Sequence, residues 1–133
     1  MTEIVSDTHA VVWFLFRSPR LSANASAAFN DASAAGHTVW VPSICLVEII
    51  YLEERNRLPK GALKLLQGSL DNPRSLFEIA PLDRLVADSV QQVPRHVVPD
   101  MPDRIIAATA IALKLPLITA DGRIRRLPIT TIW

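Results

Sequence analysis

Four carboxylates, Asp7, Glu48, Asp103 and Asp121, stand where the surrounding sequence is apolar. Asp7 ends the short run Ile4-Val5-Ser6, Asp121 comes just after Leu117-Ile118-Thr119, and Asp103 opens a long apolar stretch behind Pro102. Glu48 is the only charge in residues 44–52. An unpaired buried charge is costly, so its carboxyl must be protonated, paired with a cation or turned to water. Carboxylates drawn to one place repel unless a cation neutralises them, and an all-oxygen donor set suits the hard ions Mg²⁺ and Mn²⁺ better than zinc. A cation held there would act as a Lewis acid and lower the pKa of bound water.

Taken singly, each acid also has an ordinary structural reading. Asp103 near a helix start complements the helix dipole, worth about 0.3–1 kcal/mol. Asp7 and Asp121 suit turns or caps, Asp100 suits a loop ahead of Pro102, and Glu48 has the option of facing water. No rival centre is offered by the histidines or the single cysteine. His9 sits beside Ala10 and Val11 as a structural histidine would, His37 and His96 read as loop residues, and Cys45 reads as core.

The acids need elements to hold them. A strand is expected over 3–7, followed by a buried helix over 10–16 that Arg17-Ser18-Pro19 breaks. Ser22 precedes an Ala-rich helix over 23–35, with Gly36 at its C-terminal stop. A strand over 38–41 leads through Pro42-Ser43 into an apolar helix over 44–52 that runs on to Asn56. A helix over 60–70, a strand over 77–81 and a helix over 82–93 continue the alternation. Pro102 suits the first helical position of a helix over 103–115, and a strand over 117–119, a helical turn over 121–127 and a closing strand over 129–132 complete the chain. Strands alternating with helices predict an α/β fold, a three-layer α/β/α sandwich with a central parallel sheet of four to five strands. Ligands of such sheets bind beyond the carboxyl ends of the strands, where strand order reverses, and Asp7 and Asp121 lie on that edge.

A length of 133 residues fits one domain, 1–133. Half the residues are hydrophobic, a fifth are charged and the mean hydropathy is +0.25, which excludes a disordered chain. Fourteen Lys and Arg against thirteen Asp and Glu leave a net charge of +1, so any nucleic acid must be met by local cations rather than by an overall basic field. Arg17, Arg20, Arg104, Arg123, Arg125 and Arg126 are the candidates, and the last three equally suit the solvated face of a short helix. Trp13, Phe14 and Phe16 read as core or as a dimer contact rather than as partners of bases. A single cysteine suits a reducing compartment, by default the cytoplasm. The acidic Met1-Thr2-Glu3 does not resemble a basic signal segment, and the apolar stretches 10–16 and 105–113 fall short of a span of about 20 residues. No membrane segment is expected. The apolar stretches 10–16 and 44–52 exceed what a core of this size readily hides, which predicts a homodimer.

Ser6-Asp7-Thr8-His9-Ala10, Val47-Glu48-Ile49, Asp100-Met101-Pro102-Asp103-Arg104-Ile105-Ile106-Ala107-Ala108-Thr109-Ala110 and Thr119-Ala120-Asp121, in that order, resemble the PIN domain. The resemblance is greatest to VapC-type toxins of bacterial toxin–antitoxin pairs and spans nearly the whole chain. It implies a Mg²⁺- or Mn²⁺-dependent ribonuclease whose catalytic and metal-holding acids are Asp7, Glu48, Asp103 and Asp121, the last directly or through water. Asp100, Thr119 and Arg104 would lie at the site's periphery, with Arg123, Arg125 and Arg126 as RNA contacts. RNA would be the substrate, giving 5′-phosphate and 3′-hydroxyl ends, and a cognate antitoxin protein would hold the homodimer inactive. A housekeeping RNA-processing nuclease of the same family and a PIN-like interaction module without turnover are the other readings. A response-regulator receiver is disfavoured, because Ser6-Asp7-Thr8 lacks the acidic pair, Ala80-Pro81 lacks the phosphoacceptor and no Lys follows Lys114.

Overall fold

A computed structural model describes residues 2–133. In chain order these form β1 (Ile4–Ser6), α1 (Thr8–Leu15), α2 (Ala23–Ala35), β2 (Val39–Pro42), α3 (Ser43–Glu54), α4 (Ala62–Asp71) and β3 (Phe77–Ala80). Then follow α5 (Arg84–Ser89), a 3₁₀ turn (Val90–Gln92), α6 (Met101–Leu113), β4 (Leu117–Ile118), a second 3₁₀ turn (Ile124–Arg126) and β5 (Thr131–Ile132). The strands make one fully parallel sheet in the order β3-β2-β1-β4-β5. Winding outward from β1 in both directions places right-handed crossover helices on both faces, which gives the α/β/α layers expected from the alternation. The reversal of strand order falls between β1 and β4, where Val5 pairs with Leu117 and Ser6 with Ile118. No helix among the described residues is long and apolar enough to cross a membrane.

Local chemistry explains the boundaries. The Ser22 hydroxyl accepts from Ala25 N at 3.1 Å, and Gly36 ends α2 in the left-handed conformation (φ 69°) that a Cβ would disfavour. The helix expected from 103 starts two residues earlier. Asp100, not Pro102, defines its entry: its Oδ2 accepts from Asp103 N at 3.4 Å, and Pro102 occupies the second helical position. The helix expected over 82–93 is shorter, starting at Arg84 behind the Asp83 cap and tightening into the 3₁₀ turn. Val5, Val39, Val41, Leu117 and Ile118 of the sheet pack with Val11, Phe29, Ile49, Leu66 and Ile106 of the helices, all fully buried. Each such side chain adds about 1.5–3 kcal/mol on leaving water. Phe14 stacks on Phe29 at 4.4 Å and so belongs to this core, as expected.

Candidate active site

The carboxyl edge of the sheet opens into a cleft of about 720 Å³ that gathers Asp7, Glu48, Asp100, Asp103 and Asp121. Asp7 follows β1 and starts α1, its Oδ1 accepting from Ala10 N at 2.8 Å. Its own N–H donates to Ile118 O at 3.0 Å, so the β1–β4 register fixes where it sits. Asp121 follows β4, its Oδ1 accepting from Arg123 N at 2.8 Å and Ile124 N at 3.0 Å. Asp100 caps α6. Three of the five acids are therefore helix or turn caps and cleft acids at once. A carboxylate has two oxygens with four lone-pair sites, and the backbone uses only some of them. Capping and clustering, which the sequence offers as alternatives, coexist.

Glu48, Asp100 and Asp103 come closest together, with a carboxylate oxygen from each lying within 4.8 Å of the others. Glu48 is half-buried on α3 and is aimed by Thr8, whose hydroxyl donates to its Oε1 at 2.6 Å. The fully buried Thr119 hydroxyl accepts from Asp121 N at 3.0 Å and also hydrogen-bonds Asp7, joining the two acids across the sheet edge.

Crowding and burial show in the acids' proton affinities. Burial pushes Asp7 up to about 6, opposed by the hydrogen bonds from Thr119 and Ala10 and reinforced by the charge of Asp121. Burial, then repulsion from Asp100, Asp121 and Glu48, pushes Asp103 up to about 7. Glu48 is raised by burial and by Asp100, against the Thr8 hydrogen bond. These are the signs of like charges held together in a site of low polarity. The donors are all hard oxygens, so the set fits a Mg²⁺- or Mn²⁺-type ion and lacks the sulfur or imidazole ligands usual for zinc. Cys45 is fully buried and its thiol is raised well above the usual range, which leaves it a neutral core residue.

Arg104 lies elsewhere than the sequence suggested. Arg104 does not line the cleft: its guanidinium donates to Val93 O at 3.0 and 2.8 Å and to Val90 O at 3.2 Å, tying α6 to the preceding turn. Arg123, Arg125 and Arg126 are exposed on the turn that follows Asp121, outside the cleft, which suits either a solvated face or an RNA contact. Trp13 and Phe16 pack against the core with one side and line the cleft wall with the other. Asp100, expected at the periphery, belongs with Glu48 and Asp103. Thr8 escaped the sequence reading, because its partner is 40 positions away.

The chain matches the PIN domain family over residues 4–129. It is 32% identical over 127 residues to Ribonuclease VapC22 of Mycobacterium tuberculosis, covering 94% of this chain and 92% of that protein. Its fold is similar to chains in the VapBC2 complex of Rickettsia felis bound to promoter DNA (TM-score 0.72, 17% identity, 98% of this chain and 97% of that one). It is similar likewise to the DNA-bound VapBC of Salmonella typhimurium (TM-score 0.70, 21% identity, 98% and 97%). With the acids gathered where the order of parallel strands reverses, this chain belongs to the PIN-domain family.

Proposed function

We propose that this protein is a Mg²⁺- or Mn²⁺-dependent ribonuclease that acts in the cytoplasm as the toxin of a toxin–antitoxin pair. The observation that carries the reading is the convergence of Glu48, Asp100 and Asp103 within 4.8 Å, in one cleft with Asp7 and Asp121. The 32% identity to a protein named as a ribonuclease over nearly its full length supports it, as do structural neighbours that are toxin–antitoxin complexes. Asp7, Glu48, Asp103 and Asp121 are assigned as the catalytic and metal-holding acids, with Asp100 beside them. When bound, the ion supplies Lewis acidity toward a phosphoryl oxygen and lowers the pKa of water. The chain's own part is to hold the donors still: Thr8 fixes Glu48, Thr119 spans Asp7 and Asp121, and the caps fix the three acids at element starts. Hydrolysis adds water across the bond from phosphorus to the 3′ oxygen, leaving a 3′-hydroxyl and a 5′-phosphate.

Arg123, Arg125 and Arg126, exposed beside Asp121, are assigned to phosphates outside the cleft, where cations offset the acids' repulsion of RNA. A second copy of the chain is assigned to the outer face of α3, where Val47, Ile50 and Tyr51 are 46%, 38% and 60% exposed. The inhibiting antitoxin is expected to cover the cleft or to place a cation in it.

The test is cleavage of RNA by the pure protein with Mg²⁺ or Mn²⁺ and with a chelator, beside the Asp103→Asn variant. Cleavage that needs the ion and disappears in the variant is expected. Cleavage indifferent to both removes the assignment, and RNA left intact by the loaded wild-type protein favours the interaction-module reading.

A further inference from the structure

One wall of the cleft is not acidic: it is the edge of the hydrophobic core where α1 reaches the cleft. Helix α1 turns His9, Val12, Trp13 and Phe16 toward it, the i, i+3, i+4, i+7 spacing of a single helical face. Val12 is buried at the floor, His9 is exposed and Trp13 is half-buried. His9 and Trp13 lie with ring centroids 5.5 Å apart and planes tilted by 55°, and Trp133 backs Trp13 at 5.8 Å. The aromatic face runs about 10 Å from His9 to Phe16 at 1.5 Å per residue. It begins two residues from Asp7, so it leads away from the acids along the cleft.

Two cations share the cleft, Arg20 and Arg57, and neither guanidinium has a hydrogen-bond or ion-pair partner among the described residues. Their backbones are held in place. Arg17, two residues past the end of α1, has a left-handed φ of 52°, Ser18 N donates to Trp13 O at 2.8 Å, and Arg20 N donates to the Ser18 hydroxyl at 3.2 Å. Asn56, two residues past the end of α3, has a similar φ of 55°, and Arg57 N donates to Leu52 O at 2.8 Å. A cleft with an acidic end, an aromatic wall and two unpaired cations matches an unpaired nucleotide strand: rings for its bases, guanidiniums for its phosphates. Bases inside a duplex present no free faces to such a wall.

We propose that His9 and Trp13 form a stacking platform for an unpaired base next to the cleaved phosphate, with Arg20 and Arg57 holding the flanking phosphates. This inference rests on the ribonuclease reading for the phrase "cleaved phosphate" but not for binding, and its test separates the two. Binding of a labelled mixed-sequence 10-nucleotide RNA is measured by anisotropy in chelator at fixed salt, and cleavage of the same RNA is measured with Mn²⁺.

The wild-type protein is expected to bind the single strand about 10-fold more tightly than the same RNA annealed to its complement. His9→Ala and Trp13→Leu should each weaken the single strand by about 5- to 10-fold, within the range known for base–aromatic stacking. In cleavage the loss should fall on KM more than on kcat. Arg57→Ala should lower the salt dependence by about one counterion. His9 is exposed, so its variant keeps the fold, and a melting curve controls for Trp13. A 10-mer made abasic at each position in turn gives the independent measure. One abasic position should weaken wild-type binding and make no further difference in His9→Ala. Equal binding of single strand and duplex, or unchanged binding and KM in both ring variants, overturns the platform while leaving the ribonuclease reading intact. Tight single-strand binding without cleavage overturns the ribonuclease reading and leaves the platform standing.

Discussion

The Thr8 hydroxyl donates a 2.6 Å hydrogen bond to Oε1 of Glu48, fastening the first residue of α1 to the one charge in the apolar core of α3. Thr8 itself is buried, so its hydroxyl has no water to turn to. A hydrogen bond to a charged group contributes about 1.5–3 kcal/mol, enough to hold one rotamer of a side chain as long as glutamate.

Thr8→Val is therefore expected to reduce metal-dependent cleavage by roughly 10-fold at limiting ion, through weaker metal binding, while Thr8→Ser stays near wild type. Titration of activity against Mn²⁺ concentration checks it. An unchanged midpoint in Thr8→Val shows that Glu48 needs no such support.

Asp7→Asn should abolish cleavage with the fold intact. Asparagine caps helices as well as aspartate does, so the bond to Ala10 N survives while the ligand charge is lost. Because burial makes the Asp7 charge costly at neutral pH, the metal-free variant should melt at or above the wild-type temperature. A variant that melts several degrees lower, or still cleaves RNA, contradicts the site.

The metal-free protein should gain stability as pH falls from 8 to 5. Asp7 at about 6 and Asp103 at about 7 lie above the unfolded value of about 3.9, so in this window the native state binds more protons than the unfolded one. The penalty of the buried charges is complete above about pH 7, declines as pH falls through the two folded values, and is gone below about pH 4. Glu3, held low chiefly by the Trp40 indole, works in the opposite sense, but its contribution is lost only below this window. Both site acids are partly exposed, which discounts the full ~1.4 kcal/mol per unit, and a rise of about 5 °C is expected. Saturating Mn²⁺ should add about 2.7 kcal/mol at 100 times its Kd and flatten the slope, since protons and metal compete for the same oxygens. Melting curves across pH with and without the ion decide it, and a metal-free protein that destabilises on mild acidification would be inconsistent with the cluster.

Light scattering should find a dimer for the wild-type chain and a monomer for the Ile50→Glu, Tyr51→Glu double variant, because two exposed apolar side chains of α3 become charges. Wild-type protein that stays monomeric at high micromolar concentration removes the second copy from this face.

The sequence carried the fold's alternation and named the five acids of the cleft, and the places where it misled share a cause. Ser22 and Gly36 bound α2 where expected because their signals are local. The start of α6 moved because a proline is tolerated at more than one early helical position, and the Asp100 carboxylate decided between them. Trp13 and Phe16 have the period of a buried face, but periodicity says only that a face is apolar, not whether core or cleft lies against it. Arg104 sits in the most specific motif of the chain, yet adjacency to Asp103 does not fix its direction. A step of one residue turns the side chain about 100° around the helix, enough to send its guanidinium to the carbonyls of Val90 and Val93.

The placement of Asp7 after the central strand and of Asp121 after its last-formed neighbour has a consequence in time. During synthesis Asp7 and Glu48 are made early, but β1 lacks its β4 neighbour until residues 117 and 118 have been made. Long-range strand pairing is slow and comes after local structure. A chain made only as far as α6 thus holds Asp7, Glu48 and Asp103 without Thr119 or Asp121 to complete the edge. The full constellation forms only once β4 has been made and has paired with β1, so the site is among the last parts of this domain to be completed.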